Sequence, residues 1–449
     1  MIFLYKILAH IGFILFLFFS PVIVLLSKKR RANFFQRLGL KVSFKPFKKN
    51  KKRIWVHALS TGEVKSILGF IKAIKKKYEY IDIVFTASTT AGFICAKKIF
   101  CINKEHDKFE NIQGQKKDYS LISQLGYFPF DFSFSIKRIN QKIKPDSVVI
   151  VETDLWPNFL YEMKKQKTPV ILINARVFQP SFKRHLFFRY FCLRFFSLFT
   201  RIMVQSKSDK KRFEQLGIDE NKILNTGNIK FDSPFEEINK DEYIKTFRKC
   251  FGIKKQRVFI AGSTHEGEEE ILCSVYKRLK IDFPDLLMIL APRDHKRCSD
   301  LVSYCLSQNL KSVLMSTGEI HDLKNQAFDI ILIDEMGLLS KLYSLCNAAF
   351  IGGSMVKEGG HNPLEPALFS KPVLFGKDMS DFIDIAKTLE KKGGAKRVDS
   401  EQKLERELRN ILKDQKMQAD MGKKNFEVFV SNRGASQIII KEMELLGLV

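Results

Sequence analysis

One stretch limits what this chain can fold into: Ile351-Gly-Gly-Ser-Met-Val-Lys-Glu-Gly-Gly-His-Asn-Pro-Leu-Glu-Pro-Ala-Leu-Phe369. The apolar run from Asn347 to Ile351 reads as the end of a buried strand. A loop with two glycine pairs follows, and then a helix start. Asn362 suits the N-cap, Pro363 the first helical position, and Glu365 the third, from which it reaches back to the cap. Gly352, Gly353, Gly359 and Gly360 permit close backbone approach or positive φ. Amides at such a helix start form a ready site for an anion. A second strand, Lys371 to Gly376, comes next. This pattern predicts an α/β domain with a ligand at the carboxyl ends of its strands. Two glycine pairs, a histidine and a glutamate in one loop point to a nucleotide-sugar pocket rather than a bare turn.

The same alternation runs through most of the sequence. Strands are expected at Arg53 to Ala58, Ile81 to Ala87, Ser147 to Glu152, Pro169 to Asn174 and Arg201 to Gln205. Helices are expected between them, one from Ser60 to about Lys77 and one capped by Ser208. Polar residues collect where these strands end: His57, Ser60, Glu63, Ser88, Thr89, Glu152, Asp154, Asn174, Arg176 and Gln205. The segment from Ser233 to Gln256 is charged, without a β pattern, and reads as a connection. Strands resume at Arg257 to Gly262, Leu286 to Ala291 and Asp329 to Ile333. The expected fold class is therefore α/β, with two doubly wound, Rossmann-like domains. Their facing across a cleft would be the GT-B architecture. The expected division is residues 1–30, 31–235 and 236–449, and in that architecture the last helix often crosses back to the first domain.

The beginning of the chain has its own character. Ile7 to Leu26 is almost wholly apolar and meets the roughly 20 residues that a spanning helix needs. Twelve Lys and Arg residues lie between Lys28 and Arg53, and no acid precedes Glu63. An apolar anchor followed by a polybasic patch is the two-signal arrangement for attachment to anionic lipids. Basic residues after the span place the body of the protein on the cytoplasmic side. The whole chain carries 76 Lys and Arg against 49 Asp and Glu, which suits an anionic partner. A signature of nucleic-acid reading is absent, so nucleic acid is not the expected partner. The run from His185 to Phe199 is aromatic with interspersed arginines, and reads either as a helix packed in its own domain or as a membrane-lying element. The eight cysteines are scattered without metal spacing, as in a reduced cytosolic protein.

These motifs resemble a known family in order along the chain. Trp55-Val-His-Ala-Leu-Ser-Thr-Gly-Glu-Val64, Glu152-Thr-Asp-Leu-Trp-Pro-Asn158, Asn174-Ala-Arg176, Gly227-Asn-Ile-Lys-Phe-Asp232, Ser263-Thr-His-Glu-Gly-Glu-Glu269, Ala291-Pro-Arg293, Asp334-Glu-Met-Gly337 and the glycine loop resemble the 3-deoxy-D-manno-octulosonic acid (Kdo) transferases of lipid A biosynthesis. The resemblance implies an inverting, metal-independent GT-B enzyme. It would carry Kdo from CMP-Kdo to a lipid A precursor, lipid IVA, at the cytoplasmic face of the inner membrane of a Gram-negative bacterium. No cofactor is implied, since CMP-Kdo is the donor substrate. Glu63 matches the family's general base, although Ser60 and Glu63 also spell a capping box. Glu152 and Lys230 match residues that stabilise the transition state. Pro292, Arg293, Met336, Gly337, Asn362, Pro363, Leu364 and Glu365 match the CMP-binding positions. Three departures stand out. Asp294 replaces a histidine, with His295 following it; Leu338 replaces a glutamate; and Val177 to Pro180 replace serines. The alternative is another membrane-associated GT-B enzyme that uses a UDP-sugar and a lipid-linked acceptor.

Overall fold

The computed structural model describes residues 28–41, 44, 51–101, 120–177, 179–232, 240–317, 328–335 and 337–449. The apolar run from Ile7 to Leu26 lies outside the described residues, as does Met336. Among the described residues, no helix is long and apolar enough to cross a membrane.

The chain divides into two units. The first comprises Met1–Pro234 and Arg433–Val449, and the second Phe235–Asn432. The last helix, Ala435–Leu445, thus belongs to the first unit, although some two hundred residues of the second separate it from Pro234. Part of the expected connection, Lys240–Cys250, is helical.

Among the described residues, each unit is built on one parallel sheet of seven strands. In the first unit these are β1 (Arg53–Ala58), β2 (Asp82–Ala87), β3 (Gln124–Tyr127), β4 (Ser147–Val151), β5 (Val170–Ala175), β6 (Arg201–Val204) and β7 (Ile223–Asn225), ordered β3-β2-β1-β4-β5-β6-β7. The strand order reverses between β1 and β4, and that is where a doubly wound sheet opens a crevice. β1, β4 and β5 are buried along their whole length, as strands covered by helices on both faces must be. Side chains alternate between two cores. Trp55 packs with Phe128, Phe159 and Phe196 on one face, while Val56 packs with Phe70, Phe85 and Ile439 on the other. The last helix gives Ile439, Ile440 and Met443 to that second core, and Leu448 joins them.

In the second unit the strands are β8 (Arg257–Thr264), β9 (Leu286–Pro292), β10 (Ser312–Leu314), β11 (Ile330–Leu332), β12 (Ala348–Ile351), β13 (Val373–Phe375) and β14 (Ala395–Arg397), ordered β10-β11-β9-β8-β12-β13-β14. Here the reversal falls between β8 and β12. The glycine loop that follows β12 therefore sits at the second crevice.

Several local expectations change. The helix expected from Ser60 to Lys77 is two helices, Thr61–Ser66 and Leu68–Lys77, with Ile67 between them. Just past this break the backbone at Gly69 meets another segment: a Cβ there would stand 2.1 Å from the carbonyl oxygen of Asp232. Ser206, not Ser208, caps the helix Lys207–Gln215, accepting the amide of Asp209. The aromatic run packs in part within its own unit and is exposed in part. It forms helices Gln179–Phe187 and Arg189–Phe196. Cys192, Phe195, Phe196 and Phe199 enter the core, whereas Phe187 and Tyr190 are 83% and 80% exposed.

Candidate active site

In the first unit the crevice holds three carboxyl groups. Ser60 caps Thr61–Ser66, accepting the Glu63 amide at 3.4 Å. The Glu63 carboxyl turns back over the same turn. Its Oε2 accepts the Leu59 amide at 2.7 Å and its Oε1 accepts the Ser60 hydroxyl at 2.9 Å. The capping box is therefore formed, with the return bond one residue earlier than the usual pattern. Glu63 is only 8% exposed. Burial, and then the charges of Glu152 and Asp154, push its carboxyl up to about 8. Asp154 is pushed up to about 6 by burial and by Glu152. Its Oδ2 is buried with no hydrogen-bond partner among the described residues.

Glu152 directly follows β4 in a left-handed conformation, φ 59°. A β-carbon disfavours that region, by about 1–3 kcal/mol at constrained sites. Its amide donates to the Ile173 carbonyl, which anchors the turn to β5. Lys230 Nζ lies 3.8 Å from Glu152 Oε1, with both side chains largely buried. Lys230 comes from the 3₁₀ turn Ile229–Asp232, beyond β7. The structure thus brings Glu63, Glu152 and Lys230 to one edge of one sheet from three separate connections. Asp154, which sequence reasoning placed at that edge without a role, completes the acid cluster. His57 is nearby in sequence but is a packing residue. Its ring stacks on Phe128 at 3.8 Å, Nδ1 faces the Thr86 carbonyl, and burial lowers its pKa to about 3.

The second unit uses its carboxylates differently. Glu268 opens the helix Glu268–Asp282 and is fully buried. Its Oε2 accepts the amides of His265 and Gly353, at 3.0 and 2.7 Å. Its Oε1 accepts those of Ser354 and Met355, at 3.0 and 2.9 Å. The start of the glycine loop is therefore occupied by an anion of the chain's own. The loop reaches it because Gly352 passes close to β8, where a Cβ would stand 2.3 Å from the Ser263 carbonyl oxygen. Glu269, also fully buried, pairs with Arg297 at 3.0 Å.

The expected anion site at Asn362 to Glu365 changes as well. The helix there is Leu364–Leu368, five residues, and starts one residue later than the sequence suggests. Asn362 Oδ1 still accepts the Leu364 amide at 3.1 Å. So short a helix, with that amide already taken, offers little dipole to a ligand.

A cavity of about 260 Å³ lies at this crevice, lined by Thr264, His265, Arg293, Asp294, Arg297 and Glu358 among others. Of the sequence-predicted binding residues, Arg293 lines it. Pro292 ends β9 directly before it, and the Arg293 amide donates to Thr264. Pro363, Leu364 and Glu365 lie outside the lining, and Gly337 is an exposed turn residue at φ 96°. His361, beside Asn362, reaches the cavity wall through His265: the two Nε2 atoms are 3.0 Å apart and the rings stack. Sequence reasoning did not pair these histidines. They lie 96 positions apart, and only the adjacency of β8 and β12 joins them. Two of the three departures have structural counterparts. Asp294 caps the turn His295–Arg297, His295 faces the Ile333 carbonyl, and Leu338 is buried. Among the described residues no group of three or more His, Cys, Asp or Glu is arranged to hold a metal ion. Among the described residues no disulfide joins any of the cysteines.

Residues 32–233 match the family model of 3-deoxy-D-manno-octulosonic acid transferase. The chain is 31% identical to the 3-deoxy-D-manno-octulosonic acid transferase of Haemophilus influenzae over 390 residues, covering 86% of this chain and 85% of that one. It is 32% identical to the transferase of the same name from Rickettsia felis over 336 residues, 74% of this chain and 66% of that one. Among solved structures, UDP-GlcNAc 2-epimerase from Neisseria meningitidis superposes with a TM-score of 0.56 at 16% identity, covering 87% of this chain and 98% of that one. That likeness gives the fold, which is of the GT-B type. With its two parallel Rossmann-like sheets and a relative this similar over most of both lengths, the chain is a glycosyltransferase and belongs to the Kdo transferase family.

Proposed function

We propose that the protein transfers Kdo from CMP-Kdo to the glucosamine disaccharide of a lipid A precursor, lipid IVA, with inversion and without a metal ion. The observation that carries this reading is the Glu63 carboxyl, held near 8 beside Glu152 and Asp154 at the switch point of the first sheet. A carboxylate with so high a proton affinity is a stronger base than an ordinary one. In the proposed step Glu63 takes the proton of the acceptor hydroxyl. That oxygen forms a bond to the anomeric carbon of Kdo, and the bond from this carbon to the CMP phosphate oxygen breaks. CMP leaves with the electron pair. Lys230 and Glu152 set the charge balance as this happens: a cation near the developing negative charge lowers the barrier, and one held beside a carboxylate is fixed in place beforehand. Arg293, on the cavity wall of the second unit, suits the donor's phosphate or carboxylate through its planar fork.

We also propose that the protein works at the cytoplasmic face of the inner membrane, on anionic lipids. The twelve basic residues from Lys28 to Arg53 support this. So does the exposed face at Leu186, Phe187, Phe188 and Tyr190, in a stretch from Met163 to Ser208 that contains no Asp or Glu.

The test is incubation with CMP-Kdo and tetraacylated lipid IVA, followed by mass spectrometry of the lipid. A mass gain of one or more Kdo units is expected, and its absence with active lipid and donor would overturn the reading. Titration should show tighter binding of CMP than of UDP; the reverse would favour a UDP-sugar enzyme.

A further inference from the structure

Lys230 sits on a turn of only four residues, and a turn that short cannot hold a lysine in place by itself. Three fastenings hold it, all within the first unit. The Ile229 amide donates to Asn174 Oδ1 at 3.1 Å, from a fully buried asparagine at φ 54°. Asn228 braces the turn from below: its Oδ1 accepts the Lys230 amide, and its Nδ2 donates to Gln205 Oε1, each at 2.9 Å. The third fastening is Asp232, at the end of the turn. Its Oδ1 accepts the Gly434 amide at 2.7 Å and its Oδ2 the Ser436 amide at 2.5 Å. A single carboxylate thus caps the last helix, Ala435–Leu445, from more than two hundred residues away.

That helix is itself firmly held. Glu442 pairs with Arg201, Glu444 with Lys77 and with the Tyr78 hydroxyl, and Lys52 donates to the carbonyls of Gly447 and Val449. Its apolar side lies in the same core as Val64 and Ile67, beside Glu63. Asp232 also abuts the backbone of Gly69, on the helix that follows the one bearing Glu63. The last helix therefore touches both the Glu63 segment, through the core, and the Lys230 turn, through one carboxylate.

We infer that the last helix is a positioning element for Lys230, acting through Asp232. Asp232 is a positioning residue, because each of its two oxygens accepts an amide of the last helix's first turn. This inference rests on the proposed role of Lys230 in the transition state.

The experiment is a double-mutant cycle on kcat in the full chain, with CMP-Kdo and lipid IVA, comparing Asp232→Ala, Lys230→Ala and the pair. Asp232→Ala should lower kcat by about tenfold or more with KM for CMP-Kdo nearly unchanged. On the Lys230→Ala background the same change should cost less than about threefold, because its effect passes through the missing lysine. Independent, multiplicative losses would overturn the inference while leaving the role of Lys230 intact. Full activity in Lys230→Ala would overturn both. Should Asp232→Ala not fold, Gly434→Ala takes its place. Gly434 has φ 107° and open space around it, so the change strains the turn whose amide Asp232 accepts while leaving the Asp232 and Lys230 side chains unaltered, and the same non-additivity is expected.

Discussion

Glu63 and Glu268 are both buried glutamates beside the switch point of a seven-stranded parallel sheet, one in each unit, and their surroundings are opposite. Glu268 has four backbone amides pointed at it. Glu63 has one amide and one hydroxyl, and two more carboxyl groups nearby that raise its proton affinity. A buried carboxylate surrounded by fixed donors is a structural anion, and its amides are unavailable to anything else. One crowded by other acids is poised to exchange a proton. Burial alone does not separate the two. The company each carboxyl keeps does.

The comparison breaks first at turnover. Glu63→Gln keeps the shape and removes the base, so kcat should fall by about 10²- to 10⁴-fold, with CMP affinity preserved. Retention of more than a tenth of the activity would remove Glu63 from the reaction. Glu268→Ala tests the other half. It leaves four amides without their acceptor, which should cost on the order of 3 kcal/mol or more. Hydrogen exchange at Gly353, Ser354 and Met355 should speed accordingly, and unchanged protection would show that the loop holds itself. The equivalent change at Glu63 should not destabilise the first unit to that degree.

A pH series sharpens the contrast. Glu63 goes from an ordinary carboxyl in the unfolded chain to about 8 in the fold. Its favourable protonation is therefore fully present below about 4.5 and is lost as pH rises through about 8. Relative to Glu63→Gln, the wild-type protein should lose stability across that window, by an amount on the order of a few kcal/mol. Melting curves of the two proteins at pH 5 and pH 9 would show it, and parallel curves would mean that Glu63 is ionised throughout. The smallest effect is expected at Asp294, an exposed carboxylate that caps one turn. Asp294→Ala should cost about 1 kcal/mol or less, which sets the lower end of the series.

The sequence displayed the central strands because their apolar runs are long and unbroken, as in Arg257-Val-Phe-Ile-Ala and Ser147-Val-Val-Ile-Val. It hid the edges. β3 is Gln-Leu-Gly-Tyr and β14 is Ala-Lys-Arg, too short and too polar to carry a period. Glu63, Glu152 and Lys230 were legible through the family motifs, and each stands at the carboxyl edge of the first sheet. The Glu268 clamp was not. Glu266 to Glu270 reads locally as acids at a helix start, and the amides that use Glu268 lie some 85 positions further along. The glycine loop reads as a site for a ligand's anion, because a sequence shows its amides but not that Glu268, at the start of a distant helix, takes those of Gly353, Ser354 and Met355.

The placement of the last helix has a consequence for how the protein is made. The core beside β1 lacks Ile439, Ile440, Met443 and Leu448 until residues 433–449 have left the ribosome. The second unit, continuous in sequence, has all its strands well before then. Domains usually mature in the order of synthesis. Here the unit begun first is completed last, and the Glu63 edge closes only after its partner unit already has every residue it needs.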